Sequence, residues 1–301
     1  MPAWPFHPGE LLAQARAGGG SQGGAIRPWM PDQHRAFFAA LPCVIVASLR
    51  DDYPIATIWT GAPGFVTAPD AGTLHLSVDP ADPADPAGPA FTAGAPFGML
   101  GIELATRRRN RANGVITAAG PDGVTVSVRQ SFGNCPQYIR PRGTLDTASG
   151  ARERPGGLEA LDRLDGAAVA AITSADTFFV ATAARTDEPT GGVDVSHRGG
   201  PPGFVQIAGD VLTIPDFAGN RYFNTLGNLV SAPRAALLFV EFARGDLLHL
   251  QGTTTIVWDG PEVRALEGAE RLWRVRVERA WRRPGALPLR WSAPLAPATP
   301  R

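Results

Sequence analysis

The sequence predicts a mainly β protein with peripheral helices, built as two small antiparallel barrels packed together in one chain. Short apolar runs rich in β-branched and aromatic residues recur along the chain, as strands do. The order of these runs in the first half returns in the second half. Each half also contains one helix-like segment among its strands, which is typical of small barrels.

The composition limits the classes of function. The chain has 301 residues, 44% of them hydrophobic, which is enough for one large domain or two ordinary ones. Its 28 basic and 28 acidic residues balance, which argues against binding nucleic acid. Because every basic residue is an arginine, a P-loop lysine and a Schiff-base lysine are both excluded.

Motifs for metal binding, hydrolysis and membrane insertion are not found in the sequence. The 5 histidines lack ligand spacing, so we expect no metal site. Cys43 and Cys135 form no CxxC pair, which favours a reducing compartment. With no recognisable signal peptide and no apolar run of membrane-spanning length, we expect a cytoplasmic protein without a membrane partner.

The first half divides into an arm and a repeat. Residues 1–30 predict an N-terminal helical arm followed by a glycine-rich linker. Residues 31–150 form the first repeat, which begins with a helix and continues in strands. Its stretch Asp79–Ala90, rich in Asp-Pro, predicts a surface loop. The segment Leu100–Gly114, "LGIELATRRRNRANG", predicts a polar helix.

The second repeat, with a C-terminal extension, covers residues 151–301. It opens with a predicted helix over Gly157–Ala175 and continues with strand signals in the same order as the first repeat. The tripeptide Gly64–Val66, for example, has its counterpart in Gly203–Val205. We therefore predict an internal duplication.

The stretch "IPDFAGNRYFNTLGNL", Ile214–Leu229, reads as the end of a strand followed by a helix start. Backbone N–H groups at a helix start attract anions. Arg221 would add a charged fork, and Asn220 and Asn224 would add neutral donors. The alternative is that Asp216 simply caps the helix while Arg221 is solvated.

Two further clusters carry polar side chains. In "VDVSHRGG", strand alternation places Asp194, Ser196 and Arg198 on one face, toward water or a polar ligand. In Arg129–Ile139, "RQSFGNCPQYI", amide and hydroxyl groups surround a tight turn, which an ordinary capped turn with Asn134 would also explain.

At these residues the sequence resembles the FMN-binding split-barrel family related to pyridoxamine 5'-phosphate oxidase. The resemblance covers most of Pro31–Gly260 and is strongest from Val193 to Phe239. The family's phosphate-binding helix start falls on Gly219–Arg221, and its "NPR-x-x-LLF" motif corresponds to "APRAALLF". The segment "CPQYI" also resembles one found in uncharacterised members.

The resemblance implies two fused split β-barrel repeats that form a pseudo-dimer with FMN as cofactor. It also implies that a small-molecule substrate or electron donor meets the flavin. The cofactor-binding residues carried over are Ser196, His197, Arg198, Asp216, Asn220, Arg221 and Asn224 from the second half, with Gln130 and Ser131 from the first. No catalytic acid or base is indicated. A homodimer and a monomer both stay open, since the fused repeat can itself replace the family's dimer.

Departures from the family concern the substrate. Leu247 stands where the oxidases place a glutamine that reaches the flavin, and their C-terminal Arg-x-His pattern is missing. The expected function is therefore an FMN-binding oxidoreductase that does not act on pyridoxamine phosphate. The alternatives are a non-catalytic carrier of flavin or haem, and an interaction module that has lost its ligand.

The two halves are also expected to differ. On the predicted helix of the first half, Glu103 falls where Arg221 falls in the second, and a carboxylate there would repel phosphate. We therefore expect one flavin site per chain. The arginine run Arg107–Arg111 could face the flavin, although a solvated helix face is the favoured interpretation.

Overall fold

The structure is a computed structural model that describes residues 5–145, 156–184 and 190–295. The boundary predicted near residue 150 lies outside the described residues. The helices are short and peripheral: α1 Pro8–Arg16, α2 Asp32–Ala40, α3 Gly166–Ser174, α4 Asn224–Ser231 and α5 Pro261–Arg264. None of the helices in these ranges is long and apolar enough to cross a membrane.

Two large antiparallel sheets form the molecule, which confirms the predicted mainly β fold class. The strands of the first sheet are β1 Cys43–Arg50, β2 Tyr53–Thr60, β3 Val66–Thr67, β4 Thr73–Leu76, β5 Pro96–Glu103, β6 Arg108–Gly120 and β7 Gly123–Gly133. A small separate ribbon pairs β8 Thr144–Leu145 with β17 Arg290–Trp291. The strands of the second sheet are β9 Glu159–Leu161, β10 Thr177–Ala183, β11 Val193–Gly199, β12 Gln206–Ala208, β13 Val211–Phe217, β14 Arg234–Glu241, β15 Asp246–Val257 and β16 Ala269–Arg283.

The two sheets share one strand order. The first runs β2-β1-β5-β6-β7-β4-β3, and the second runs β11-β10-β14-β15-β16-β13-β12, with β9 added beside β16. Both sheets contain a bulge that ends on a glycine, Gly114 in β6 and Gly252 in β15. At either glycine a Cβ would lie 2.0 Å from a carbonyl oxygen of the next strand, so only glycine fits.

Strand registers identify equivalent positions in the two halves. Leu100 pairs with Arg111 across β5 and β6, while Leu238 pairs with His249 across β14 and β15. Because Arg111 and His249 precede their bulge glycines by the same interval, they occupy equivalent positions. The same register equates Thr57 in β2 with Ser196 in β11.

The halves pack through the face formed by β1, β2 and β5 against β10, β11 and β14. Buried aliphatic and aromatic side chains fill this interface, among them Ile45, Leu100, Phe179, Val195 and Leu238. Each such side chain contributes about 1.5–3 kcal/mol when fully buried. This rigid interface brings β6 of the first half against β11 of the second.

The predicted helix over Leu100–Gly114 is wrong. This segment contains the end of β5, a turn at Thr106 and Arg107, and the start of β6. Arg107 takes a positive φ of 59° in that turn, and Thr106 donates to the Glu103 carboxylate. Pairing with β5 on one side and β7 on the other overrides the helical propensity of this polar stretch.

The helix predicted from Arg221 begins later, at Asn224. Phe223 holds the N-cap position in the left-handed region, with φ 62°, and no side chain caps the helix. Asp216 therefore does not cap it, because Asp216 lies within β13 and pairs with two arginines.

Two other predicted elements are corrected by the structure. Of Gly157–Ala175, only α3 is helical, since residues 159–161 pair with β16 instead. The Asp79–Ala90 loop is not purely a surface feature, because Asp85 and Ala87 are buried. Asp85 accepts a hydrogen bond from Thr57 at 2.6 Å, which draws the loop inward.

The N-terminal arm joins both halves. Helix α1 packs closely on α4, where a Cβ at Gly227 would lie 2.5 Å from the Cα of Glu10. Further along the arm, Arg27 forms a backbone bridge with Ser131 of β7. The arm therefore fixes α4 relative to the first sheet.

Candidate functional site

A cleft opens where β6 of the first half meets β11 and β13 of the second. The first half contributes Arg109, Arg111 and the segment 134–138 that follows β7. The second contributes β11, the end of β13, the loop 218–223 and the first turn of α4. Neither half forms this cleft alone.

Arg111 is the buried centre of the cleft wall. Its Nη1 donates to both carboxylate oxygens of Asp194 at 3.0 and 2.9 Å and to Oδ1 of Asn224 at 3.0 Å. Its Nη2 donates to Oγ of Ser196 at 2.8 Å. Burial lowers the pKa of Arg111, and the adjacent Asp194 opposes that shift. The predicted residues Ser196 and Asn224 are thus held by an internal network.

A second ion-pair cluster contains the predicted residues Arg198 and Asp216. Nη1 of Arg198 donates to one oxygen of Asp216 at 2.6 Å, and Nη1 of Arg271 donates to the other at 3.0 Å. One carboxylate therefore serves two guanidinium groups. Asp216 orients arginines at the floor of the cleft.

Arg109 lies in the cleft without a carboxylate partner in the described part of the chain. Its Nη2 donates to the carbonyl oxygen of Cys135 at 2.6 Å, and its Nη1 lies 3.2 Å from Nδ1 of His197. Burial, aided by the positive charges of Arg111 and Arg198, lowers the pKa of Arg109 to about 9. The guanidinium is therefore still charged at pH 7.

His197, also predicted, is neutral in this environment. Burial and then the charges of Arg109 and Arg198 hold the pKa of His197 well below its ordinary value. Because a guanidinium can only donate, Nδ1 of His197 is the acceptor and its proton sits on Nε2. That Nε2–H finds no acceptor among the described residues.

Several other buried donors around the cleft also lack a hydrogen-bond acceptor among the described residues. An unpaired buried donor costs about 1–3 kcal/mol, so a group of them calls for a ligand or solvent. Those that line the cleft and lack an acceptor within the described ranges are Nε of Arg109, Arg111 and Arg198, Nδ2 of Asn134 and Nε2 of His197.

The loop 218–223 forms the mouth of the cleft. Arg221 and Phe223 both take positive φ values, 57° and 62°, which are costly for residues other than glycine. The backbone N–H groups of Gly219, Asn220 and Arg221 have no acceptor in the described chain. Such a turn, with several N–H groups free, is the arrangement that binds anions elsewhere.

Side chains of this loop contact the rest of the protein at two points. Nδ2 of Asn220 donates to Oδ1 of Asn134 at 2.8 Å, which connects the halves. Arg221 is exposed and donates through Nε and Nη2 to the carbonyl oxygens of Ala17 and Gly19 at the end of α1. Its Nη1 has no partner in the described segments.

Gln130 and Ser131 lie away from the cleft. Nε2 of Gln130 donates to the carbonyl oxygen of Pro5 at 3.0 Å. Oγ of Ser131 donates to the carbonyl oxygen of Arg111 at 2.9 Å and lies 2.8 Å from Nδ1 of His34. The structure therefore brings together the second-half residues of the predicted site but not this first-half pair.

The contributions of the first half are instead Arg109, Arg111, Asn134 and Tyr138. Treating Arg107–Arg111 as a helix hid the period of two that places Arg109 and Arg111 on one strand face. Tyr138 stacks on Phe217 with ring centroids 5.5 Å apart, and its hydroxyl donates to the carbonyl oxygen of Ala218. In the sequence, Tyr138 was indicated only by its position in "CPQYI", the segment that resembles one in uncharacterised family members.

The arm reaches the cleft network through Glu10. Nδ2 of Asn224 donates to Oε1 of Glu10 at 2.6 Å, and the backbone N–H of His7 donates to Oε2 at 3.0 Å. Burial raises the pKa of Glu10 to about 8, despite these hydrogen bonds. The raised pKa favours the protonated carboxyl of Glu10, which lies two hydrogen bonds away from Arg111.

Residues 164–285 match the family model described as pyridoxamine 5'-phosphate oxidase. This span contains β10 to β16 and the second-half wall of the cleft. The match to this family model lies entirely within the second half. A search among curated proteins found no match.

Solved structures are similar to part of the chain. HupZ from Group A Streptococcus is 12% identical over 40% of this chain and 98% of its own, with a TM-score of 0.32. An FAD-binding protein from Mesorhizobium loti is 12% identical over 42% of this chain and 97% of its own, with a TM-score of 0.29. At these TM-scores the likeness says nothing further about what this chain binds.

Within the described residues, no group of three or more His, Cys, Asp or Glu side chains is placed to hold a metal ion. Cys43 and Cys135 are both free thiols. Burial raises the pKa of Cys43 to about 12, so this thiol is unreactive.

Proposed function

We propose that this chain is an FMN-dependent oxidoreductase whose cofactor lies in the cleft between the halves. The observation that carries the proposal is that the unsatisfied groups of the cleft are donors. A ligand that meets them must bring several acceptors and negative charge, as a phosphate and the carbonyl groups of a flavin do.

The phosphate is assigned to the loop at Gly219–Arg221. Three backbone N–H groups and Nη1 of Arg221 have no acceptor among the described residues. Together with the Asn220 amide they can donate to one oxyanion. This is a loop with left-handed residues rather than a helix start, so the charge of Arg221 together with the loop N–H groups, and not the dipole of α4, is the main attraction.

The flavin ring is assigned to the interior wall, along Ser196–Arg198 of β11. Nε of Arg198 is the donor available to ring acceptors there. The stacked pair Tyr138 and Phe217 would cover the mouth and exclude water from the reacting face. When bound, the flavin supplies hydride or electron transfer, while the protein binds and orients it.

We further propose that the halves are tandem copies of one unit, of which only the second keeps a flavin site. Shared strand order and the paired bulge glycines Gly114 and Gly252 support the first statement. The substrate is a small molecule other than pyridoxamine phosphate, since the C-terminal Arg-x-His pattern of the oxidases is missing from this sequence. The two free thiols fit a reducing, cytoplasmic setting.

Titration of the purified protein with FMN and with riboflavin tests this proposal. We expect FMN to bind more tightly by about tenfold or more, since charge-assisted hydrogen bonds hold its phosphate. Arg221→Ala should remove most of that difference. Equal affinities for FMN and riboflavin in the native protein would overturn the assignment of the phosphate, and failure to bind either would overturn the function.

Measuring turnover of the bound flavin distinguishes an oxidoreductase from a non-catalytic carrier. An oxidoreductase should show reduction of its bound flavin by NADH or NADPH and reoxidation by an acceptor. Stoichiometric binding with neither step identifies a flavin carrier, and binding of haem in preference to FMN identifies a haem carrier.

A further inference from the structure

The arginine run at the start of β6 is divided by strand geometry into two faces. Arg109 and Arg111 point into the cleft, whereas Arg108 is exposed and lies over the ring of Phe37, 5.0 Å from its centroid. Arg111 has a carboxylate partner in Asp194, and Arg109 has none in the described residues. Arg109 is half-buried and its Nε is enclosed, and a desolvated cation without a counter-charge is costly, so an anion is the natural partner of Arg109.

The surroundings of Arg109 exclude a cationic or apolar partner. Arg111 and Arg198 add positive charge nearby, and the neutral His197 presents a donor, not an acceptor. Nε of Arg109 is itself without an acceptor in the described chain. The available groups are thus N–H donors on a positively charged wall, which suits a carboxylate or phosphate.

We propose that Arg109, with His197, forms a second anion subsite that binds a carboxylate or phosphate group of the substrate meeting the flavin. This inference rests on the proposed function and names its substrate class: a small organic anion. The subsite is distinct from the cofactor's phosphate loop. Arg109 is half-buried, with its Nε enclosed, and comes from the first half, while Gly219–Arg221 is an exposed loop of the second.

The test uses the FMN-loaded protein and two probes, inorganic phosphate and benzoate, followed by calorimetry and by the visible spectrum of the bound flavin. Arg109→Gln is compared with Arg108→Gln, a matched control that removes a neighbouring arginine from the outer face. We expect at least one probe to bind the native protein and the control equally. Arg109→Gln should weaken that binding about tenfold or more.

A second measurement keeps the subsite separate from the cofactor site. The ratio of riboflavin to FMN dissociation constants should stay at its native value in Arg109→Gln and fall toward one in Arg221→Ala. If Arg109→Gln lowers that ratio as Arg221→Ala does, Arg109 holds the cofactor phosphate and the inference is wrong.

Other outcomes are equally decisive. If neither probe binds the native protein, with or without FMN, the subsite does not exist. If FMN fails to bind but a probe still binds the apoprotein through Arg109, the proposed function falls and the anion subsite stands. Should Arg109→Gln fail to fold, Arg109→Lys retains the charge but loses the planar fork, and we expect it to weaken probe binding as well.

Discussion

The cleft and its counterpart in the other half occupy equivalent places in two sheets of the same order, yet their chemistry is opposite. In the cleft, Arg111 donates to Ser196, and further arginines add positive charge beside them. At the counterpart, His249 replaces Arg111 and Thr57 replaces Ser196. There Thr57 donates to Asp85, which also pairs with Arg283 at 2.9 Å.

The difference originates in the connection that follows β4 in the first sheet and its equivalent β13 in the second. In the second half this connection is the loop 218–223 and α4, which leaves a space lined by donors. In the first half it is the Asp-Pro-rich loop, whose Asp85 carboxylate supplies the acceptor internally. Two halves with the same strand order can thus differ at equivalent places. One half keeps an open site for a ligand, and the other fills the site with one of its own side chains.

The largest expected effect comes from replacing the polar side chains at the two equivalent positions by apolar ones. Arg111→Met should lower the free energy of unfolding by about 3–5 kcal/mol, because it leaves Asp194 buried without its cation. His249→Leu should cost only about 1 kcal/mol, since it removes one hydrogen bond to the carbonyl oxygen of Ala56. Urea unfolding of both variants measures the contrast, and equal losses would contradict it.

Asp85→Asn addresses the filled counterpart. It should lower the free energy of unfolding by about 1.5–3 kcal/mol, because Arg283 loses a charge-assisted partner while keeping Asp82 at 2.8 Å. It should leave flavin binding in the cleft unchanged. A fall in FMN affinity, measured by titration, would mean that the two places are coupled.

Glu10 predicts a pH dependence of stability on the cleft side. Burial raises its pKa in the folded protein from the ordinary value of 4.5 to about 8, so its favourable contribution is complete below pH 4.5 and is lost as the pH rises through 8. Glu10→Gln should remove this loss and be more stable than the native protein at pH 8, by on the order of 4 kcal/mol.

The comparison must use the difference between native and variant proteins. Burial lowers the pKa of His249 to about 4, and the contribution of His249 is present above pH 6.5 and lost as the pH falls toward 4. That trend is common to both proteins and cancels. A difference between native protein and Glu10→Gln that is independent of pH would show that Glu10 is not held as a protonated carboxyl.

The smallest effect is expected at Glu103, the residue that the sequence equated with Arg221. Glu103 lies at the end of β5, far from the connection that corresponds to loop 218–223. Glu103→Arg should therefore change the free energy of unfolding by less than about 0.5 kcal/mol and create no second flavin site. Binding of a second FMN by this variant would show that Glu103 and Arg221 occupy equivalent positions after all.

Sequence reasoning found the fold class, the family and the second-half wall of the cleft because these depend on local patterns. Alternation in "VDVSHRG" placed Asp194, Ser196 and Arg198 together, and their contacts with Arg111 and Asp216 bear this out. The first-half wall was missed for a different reason. Whether Arg109 lies on a strand or a helix depends on pairing with β5 and β7, which no local property of an arginine-rich stretch reveals.

Long-range contacts also determine the hydrogen-bond partners of single residues, which the sequence could not predict. Arg221 looked solvated or phosphate-bound, and its guanidinium in fact contacts carbonyl oxygens of an arm some two hundred positions earlier. Gln130 was expected to bind the cofactor, yet its side-chain amide donates a hydrogen bond to Pro5 of the same arm. No spacing rule connects residues this distant in the chain.

The stoichiometry of FMN binding tests the central claim most directly. Equilibrium dialysis of the native protein against FMN should give one FMN per chain, bound in the cleft and weakened by Arg221→Ala. Two equivalents per chain, or one that is lost on Asp85→Asn and untouched by Arg221→Ala, would contradict the account.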